Sequence, residues 1–219
     1  MGGYIILQLL ERGQPPESIR IVDFRPPSRA DMRHGSATQV DFVQTDISSG
    51  AATEAAFTKP WHPSVAHLPL TVFHTAAVIV PSDRSRLVSG FCEAVNVGGT
   101  QNVVDGARRA GADVLVSTTS ASISIRPVEL WVPPWRMWSR QAPRGYWQVL
   151  DEKDFFEPLR KHEEFYANYP ASKAAAERIV CAVNSRELRT GCIRPANGVY
   201  GNPTDNTVGG ALAKAVLPT

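Results

Sequence analysis

The chain has little of several things that would narrow its role at once. Cysteine occurs 3 times in 219 residues, as Cys92, Cys181 and Cys192. An odd number at wide spacing offers no disulfide framework and no metal-ligand pattern, so a reducing compartment and no metal are expected. Charge of one sign is also scarce: 23 Lys and Arg against 21 Asp and Glu leave a formal +2. That excess is too slight to argue for nucleic acid or an anionic membrane as a partner. No apolar run reaches the length of a membrane span. The strongest, "LPLTVFHTAAVIV", holds His74 and Thr75 and ends at Pro81. The N-terminus lacks the basic stretch of a signal peptide and runs into Glu11 and Arg12, which leads to the expectation of a cytoplasmic protein. What is present, 43% hydrophobic and 20% charged residues, suits a globular domain with one sizeable core.

Hydrophobic periodicity organises that core. Ile5, Ile6, Leu9 and Leu10 share one helix face that Gly13 closes. "SIRIVDF" alternates as a strand ending at Asp23, and "TQVDFVQTD" as another ending at Asp46. A polar helix follows through Glu54 and Phe57. "LTVFHTAAVIV" predicts a continuous strand buried on both faces of a parallel sheet. "SGFCEAVNVGGTQNVVDGARRAG" predicts a helix stopped by Gly111, and "DVLVSTTSASI" a strand running into hydroxyl residues. A helix from about Tyr169 to Asn184 and the strand "TGCIRP" complete the alternation. Strand and helix in turn imply βαβ units, hence an α/β fold with a doubly wound parallel sheet spanning residues 1–219 as one domain. Residues 127–164 interrupt the pattern and hold four of the five tryptophans, Trp131, Trp135, Trp138 and Trp147.

The chemistry concentrates in "FYANYPASKAAAERIV". Tyr169 and Lys173 stand four residues apart, on one face of a helix whose first turn is marked by Pro170. A free phenol has a pKa of about 10, and a fixed ammonium beside it favours the phenolate. Ala171, Ala174, Ala175 and Ala176 would let a flat group approach the helix. On its own such a pair is common by chance, and an alanine-rich surface helix would explain it. Upstream, the strand-end hydroxyls place Ser120 where it can hold a substrate oxygen, with Thr119 and Ser122 as alternatives. Asp23 closes a strand 21 residues past Gly2, the spacing at which an acid meets dinucleotide ribose hydroxyls; a plain turn aspartate is the competing explanation.

Taken in order, these segments resemble the extended short-chain dehydrogenase/reductase superfamily, in its 3β-hydroxysteroid dehydrogenase and NAD-dependent epimerase-dehydratase branch. The resemblance implies a Rossmann-like fold and an NAD-dependent oxidoreductase acting on a secondary alcohol, with a sterol among the candidates. By that likeness Tyr169 is the proton donor or acceptor, Lys173 its electrostatic partner and ribose ligand, and Ser120 the substrate-orienting hydroxyl. It also implies cofactor contacts from Gly2, Asp23, Asp46, His74, Ala76, Ala77 and Asn96, the last in "NVGGTQNVV". Pro195, in "RPANGVYG" (Arg194 to Gly201), would pack on the nicotinamide. Asp23 would repel a 2′-phosphate, so NAD is expected over NADP, with Arg25 softening the preference. Family members often dimerise through the helices carrying these two motifs, and a homodimer is the corresponding expectation.

The pattern also breaks. Gly2 falls where the third glycine of the family's first turn belongs, so the usual first strand and first two glycines are not in this sequence. In the order 3-2-1-4-5-6 that strand is central, and its neighbours would face one another across a gap. A C-terminal substrate-binding portion is largely missing as well, so a chain truncated at both ends is expected. The tryptophan-rich segment admits three readings: a wall for an apolar alcohol or ketone, contact with an internal membrane such as the endoplasmic reticulum, or, more simply, an insertion packed on the outside of the sheet. Alternative functions are a nucleotide-sugar epimerase or dehydratase, a small-ketone reductase, or a non-catalytic dinucleotide-binding form.

Overall fold

The computed structural model describes residues 1–80, 83–129, 131–138 and 142–196. Its strands are β1 (Arg20–Asp23), β2 (Asp41–Gln44), β3 (Thr71–His74), β4 (Val114–Thr118) and β5 (Arg189–Ile193). Every pairing is parallel, β1 with β2, β3 with β4 and β4 with β5, as helical crossovers require. The sheet stands in two pieces, β1–β2 and β3–β4–β5. β1 and β3 both line one cleft of about 1170 Å³. This is the gap expected where the first strand of a doubly wound sheet would run. Each bordering strand is paired along one edge only, so its other edge keeps unpaired N–H and C=O groups.

Helix α1 (Gly2–Glu11) runs along this cleft, with Ile5, Ile6 and Leu9 on the wall and none of its residues buried. β3 is shorter than its apolar run suggests. The run leaves the ladder after His74, and burial alternates: Val72 packs against the core and His74 is buried, whereas Thr71 and Phe73 are exposed and line the cleft. The expected burial on both faces fails: the face that carries Thr71 and Phe73 stays open.

The long helix predicted across residues 90–111 is present but interrupted. α3 (Gly90–Cys92) and α4 (Gly99–Arg109) flank a π turn, Glu93–Gly98, and Gly111 ends the run at φ +68°. α2 (Gly50–Thr58) packs closely on α4. A Cβ on Gly99 would lie 2.8 Å from Ile47, and one on Gly106 2.9 Å from Phe57, so only glycine allows this approach.

The core gathers Ile47, Val103, Val104, Leu115, Val180 and Leu188 between sheet and helices. Leu115, fully buried on β4 between β3 and β5, is its central strand residue. Leu115→Ala should therefore cost about 2–5 kcal/mol in a denaturant titration. α5 (Pro134–Trp138) belongs to the 127–164 segment. The tryptophans there are not packed on the sheet: Trp131, Trp135, Trp138 and Trp147 are 67%, 69%, 91% and 84% exposed. Among the described residues no helix is long and apolar enough to cross a membrane.

Candidate active site

α6 (Asn168–Ala182) begins as its sequence requires. Ala167 is extended at the cap, and Pro170 sits in the first turn, where its missing N–H removes no helical bond. Tyr169 is thereby placed at the helix start and Lys173 one turn further in. β4 ends at Thr118, and the chain turns at Ser120, which caps the 3₁₀ turn Ala121–Ser124 through a bond from Ser122 N. These two elements bring the Ser120 hydroxyl close enough to the Tyr169 phenol to act on its titration. The two alternative hydroxyls are otherwise engaged. Thr119 bonds Ile193 O through N and Oγ1 (2.8 and 3.1 Å), tying β4 to β5. Ser122 donates to Ser120 Oγ at 2.8 Å.

The electrostatics differ from the simple expectation. Burial pushes the Tyr169 phenol above its ordinary value, and the Ser120 hydroxyl pulls partly back. Lys173 does not lower it here. Its ammonium is buried and donates to Thr118 O at 2.7 Å, and desolvation brings its pKa down to about 8. Among the alanines expected to admit a flat group, Ala174 and Ala176 are buried, Ala174 against Ile123 and Phe165.

Beside the start of α6, Asn96 acts as a clamp. Its Oδ1 accepts from Val78 N (2.8 Å), and its Nδ2 donates to Val78 O (3.0 Å) and Ser172 Oγ (2.9 Å). The loop after β3, with Ala76 and Ala77, is thus fixed to α6 two residues after Pro170. Asn96 lies in the π turn Glu93–Gly98. The His74 side chain is buried, and its Nε2 pairs with Thr100 Oγ1 at 2.9 Å. Desolvation first, then the Lys173 charge, lower its pKa to about 3. Its neutral form is built in, so stability is whole above the unfolded value of about 6.5 and falls as pH drops from there toward 3. Denaturant titrations at pH 7 and 5.5 should differ by about 1 kcal/mol in favour of pH 7, and less in His74→Gln.

The far end of the cleft joins α1 to β1. Gly2 lies where a Cβ would press on Thr75 Oγ1 at 3.1 Å, so the start of α1 and the end of β3 approach closely. Met1 caps α1 with no side-chain bond, which leaves the first N–H groups to a ligand or water. Asp23 is exposed at the end of β1, its Oδ1 accepting from Arg25 N at 3.0 Å. The cleft wall carries Gly2, Asp23, Arg25, His74 and Ala76. Helix-start donors at Gly2 and a strand-end acid at Asp23, on the walls of one cleft, are residue types that fit a dinucleotide's phosphate and ribose. Asp46 is exposed and bound to its own turn, accepting from Ser48 N (2.9 Å) and Oγ (2.7 Å). Pro195 O accepts from Ala121 N at 3.0 Å, beside Ser120; residues 197–201 of the "RPANGVYG" segment lie outside the described residues.

Two features escaped the sequence. Arg194 reaches back to Glu177 of α6 (Nε to Oε2, 2.9 Å) and forward to Asp154 (2.8 Å) and Ser124 Oγ (3.1 Å), in a largely buried cluster. Nothing in the spacing of Arg194, Glu177 and Asp154 announces it. Asn168 is buried with Nδ2 on Ser85 O at 2.8 Å and Oδ1 without a partner. It precedes Tyr169 directly, the only hint that the sequence holds.

A family model described as the 3-beta hydroxysteroid dehydrogenase/isomerase family matches residues 1–127, more than half of the chain. A second, described as male sterility protein, matches residues 68–214. The chain is 28% identical over 206 residues to the Mus musculus protein named 3 beta-hydroxysteroid dehydrogenase type 7, covering 92% of this chain and 48% of that one. It is 28% identical over 213 residues to the Schizosaccharomyces pombe sterol-4-alpha-carboxylate 3-dehydrogenase, decarboxylating, covering 97% and 51%. The chain spans about half the length of the curated relatives it matches. In fold it is similar to a Thermus thermophilus UDP-glucose 4-epimerase solved with NAD, with a TM-score of 0.57 at 21% identity over 88% of this chain and 50% of that one. An Agrobacterium tumefaciens short-chain dehydrogenase/reductase superfamily protein solved with NAD gives 0.54 at 20% identity, over 88% and 45%.

Proposed function

Since the chain belongs to the 3-beta hydroxysteroid dehydrogenase/isomerase family, within the extended short-chain dehydrogenases, we propose that it is the cofactor-binding part of an NAD-dependent oxidoreductase that interconverts a secondary alcohol and a ketone. The observation that carries this reading is the meeting of Ser120 and Tyr169 with Lys173 one turn behind, from two elements 49 residues apart in the chain. Tyr169 passes the proton to or from the substrate oxygen, and Ser120 holds that oxygen in place. Lys173 supplies the adjacent cation below about pH 8. When bound, the nicotinamide supplies the hydride donor or acceptor. Gly2 and Asp23 would hold the phosphate and adenosine ribose, with Asp46, the backbone at His74, Ala76 and Ala77 in the loop that Asn96 fixes, and the side chains of Lys173 and Pro195 along the remainder. Asp23 favours NAD over NADP by repelling a 2′-phosphate.

The exposed tryptophans support an apolar alcohol over a sugar nucleotide, and the same rings suit a peripheral position at an internal membrane. A homodimer through α4 and α6 rests on family likeness. The test is the appearance of reduced nicotinamide absorbance with NAD and a panel of sterol and small secondary alcohols. Because burial raises the phenol, the neutral, proton-donating form prevails near neutrality. Alcohol oxidation should therefore speed up as pH rises above 7, while ketone reduction slows, and a pH–rate profile in both directions checks the sign.

A further inference from the structure

Cys181 and Cys192 are eleven residues apart in sequence and were not expected to meet. The structure places their sulfurs 3.8 Å apart. Cys181 lies on the last turn of α6, and Cys192 is the fourth residue of β5, the neighbouring strand. Both are half-buried, whereas Cys92 is 1% exposed. A disulfide needs about 2.0 Å between sulfurs, so bond formation requires the two sulfurs to close by a further ~1.8 Å.

We propose that Cys181 and Cys192 form a dithiol site that a low-molecular-weight disulfide oxidises to an intramolecular cystine. One cysteine thiolate attacks the glutathione disulfide, forming a mixed disulfide and releasing one glutathione thiolate. The second cysteine, as thiolate, attacks the protein sulfur of that bond and expels the other glutathione. Two protein thiols are oxidised, one glutathione disulfide is reduced, and the two protons given up by the cysteines end, through solvent, on the two glutathione thiols. Burial raises both thiols above their ordinary values, so the first attack is slow near neutrality and faster in mild alkali. The product straps the end of α6 to β5 two turns beyond Lys173, just before Arg194 engages Glu177. It closes a short loop whose freedom is lost only in the unfolded chain.

The test treats the native 219-residue chain with glutathione disulfide at pH 8, alkylates the remaining thiols and digests with trypsin. Cleavage after Arg178, Arg186, Arg189 and Lys214, the Arg194–Pro195 bond being resistant, puts Cys181 in residues 179–186 and Cys192 in residues 190–214. The expected product is those two peptides joined, with Cys92 alkylated. The thermal midpoint should rise by about 5–10 °C and return on reduction with dithiothreitol. C181S and C192S should each lose the shift, and C92A should keep it. Glutathione left on Cys181 or Cys192, alkylation of both, or the same mixture of pairings from native and denatured chain would overturn the proposal.

Discussion

Tyr169→Phe is expected to lower alcohol oxidation by at least about a hundredfold while leaving the affinity for NAD nearly unchanged. General acid–base catalysis by a positioned group contributes about 10²–10⁴ in rate, and the phenol hydroxyl is the titratable group within reach of Ser120. The ring itself stays, so the packing around the start of α6 survives. Ser120→Ala should cost less, since it removes a holding hydroxyl and not the proton carrier. Lys173→Met has a different signature: it removes the buried ammonium on Thr118 O, so both cofactor affinity and rate should fall. Steady-state assays of the three variants, beside NAD titrations, separate these outcomes. A Tyr169→Phe chain as active as the parent would dismiss the proposed role.

Arg194→Met should be the most damaging single change outside the hydrophobic core, at about 3–5 kcal/mol. The side chain of Glu177 is 4% exposed, and those of Arg194 and Asp154 are each 17% exposed. Removing the guanidinium leaves two largely buried carboxylates without the cation that hydrogen-bonds both, with Arg160 acting on Asp154 and Lys173 on Glu177 only through space. Adding Glu177→Gln should restore part of the loss, because the residual group is then neutral. The same arginine fastens the 127–164 segment through Asp154 and Asp151 O, and ties it to Ser124 Oγ in the turn after β4. Limited proteolysis should accordingly cut that segment faster in Arg194→Met than in the parent chain. Equal stability and equal proteolysis would mean that the cluster is incidental.

The contrast between what the sequence announced and what it hid follows from range. The strand order, the helix starts and the Tyr169–Lys173 pair are local patterns with their own punctuation in Pro170, Gly111 and Asp23, and they were legible. So was the gap, because the doubly wound order predicts which two strands must face each other when the first is absent. The burial of β3 was misjudged from its composition, since no local window reports that Phe73 is exposed. The π turn at Glu93–Gly98, in which Asn96 lies, was equally silent. Arg194 with Glu177, and Cys181 with Cys192, are pairs made by α6 folding back on β5, so their meaning lies in the packing and not in the spacing.

The most direct test of the central claim is a thermal melt of the chain alone, with NAD and with NADP. At about a hundred times the dissociation constant, NAD should stabilise the fold by roughly 2.7 kcal/mol, raising the midpoint by about 5–10 °C. NADP at the same concentration should do markedly less, because of Asp23. A cooperative melt that NAD leaves unmoved, or that NADP raises equally, would contradict the dinucleotide site built on Gly2, Asp23 and Lys173.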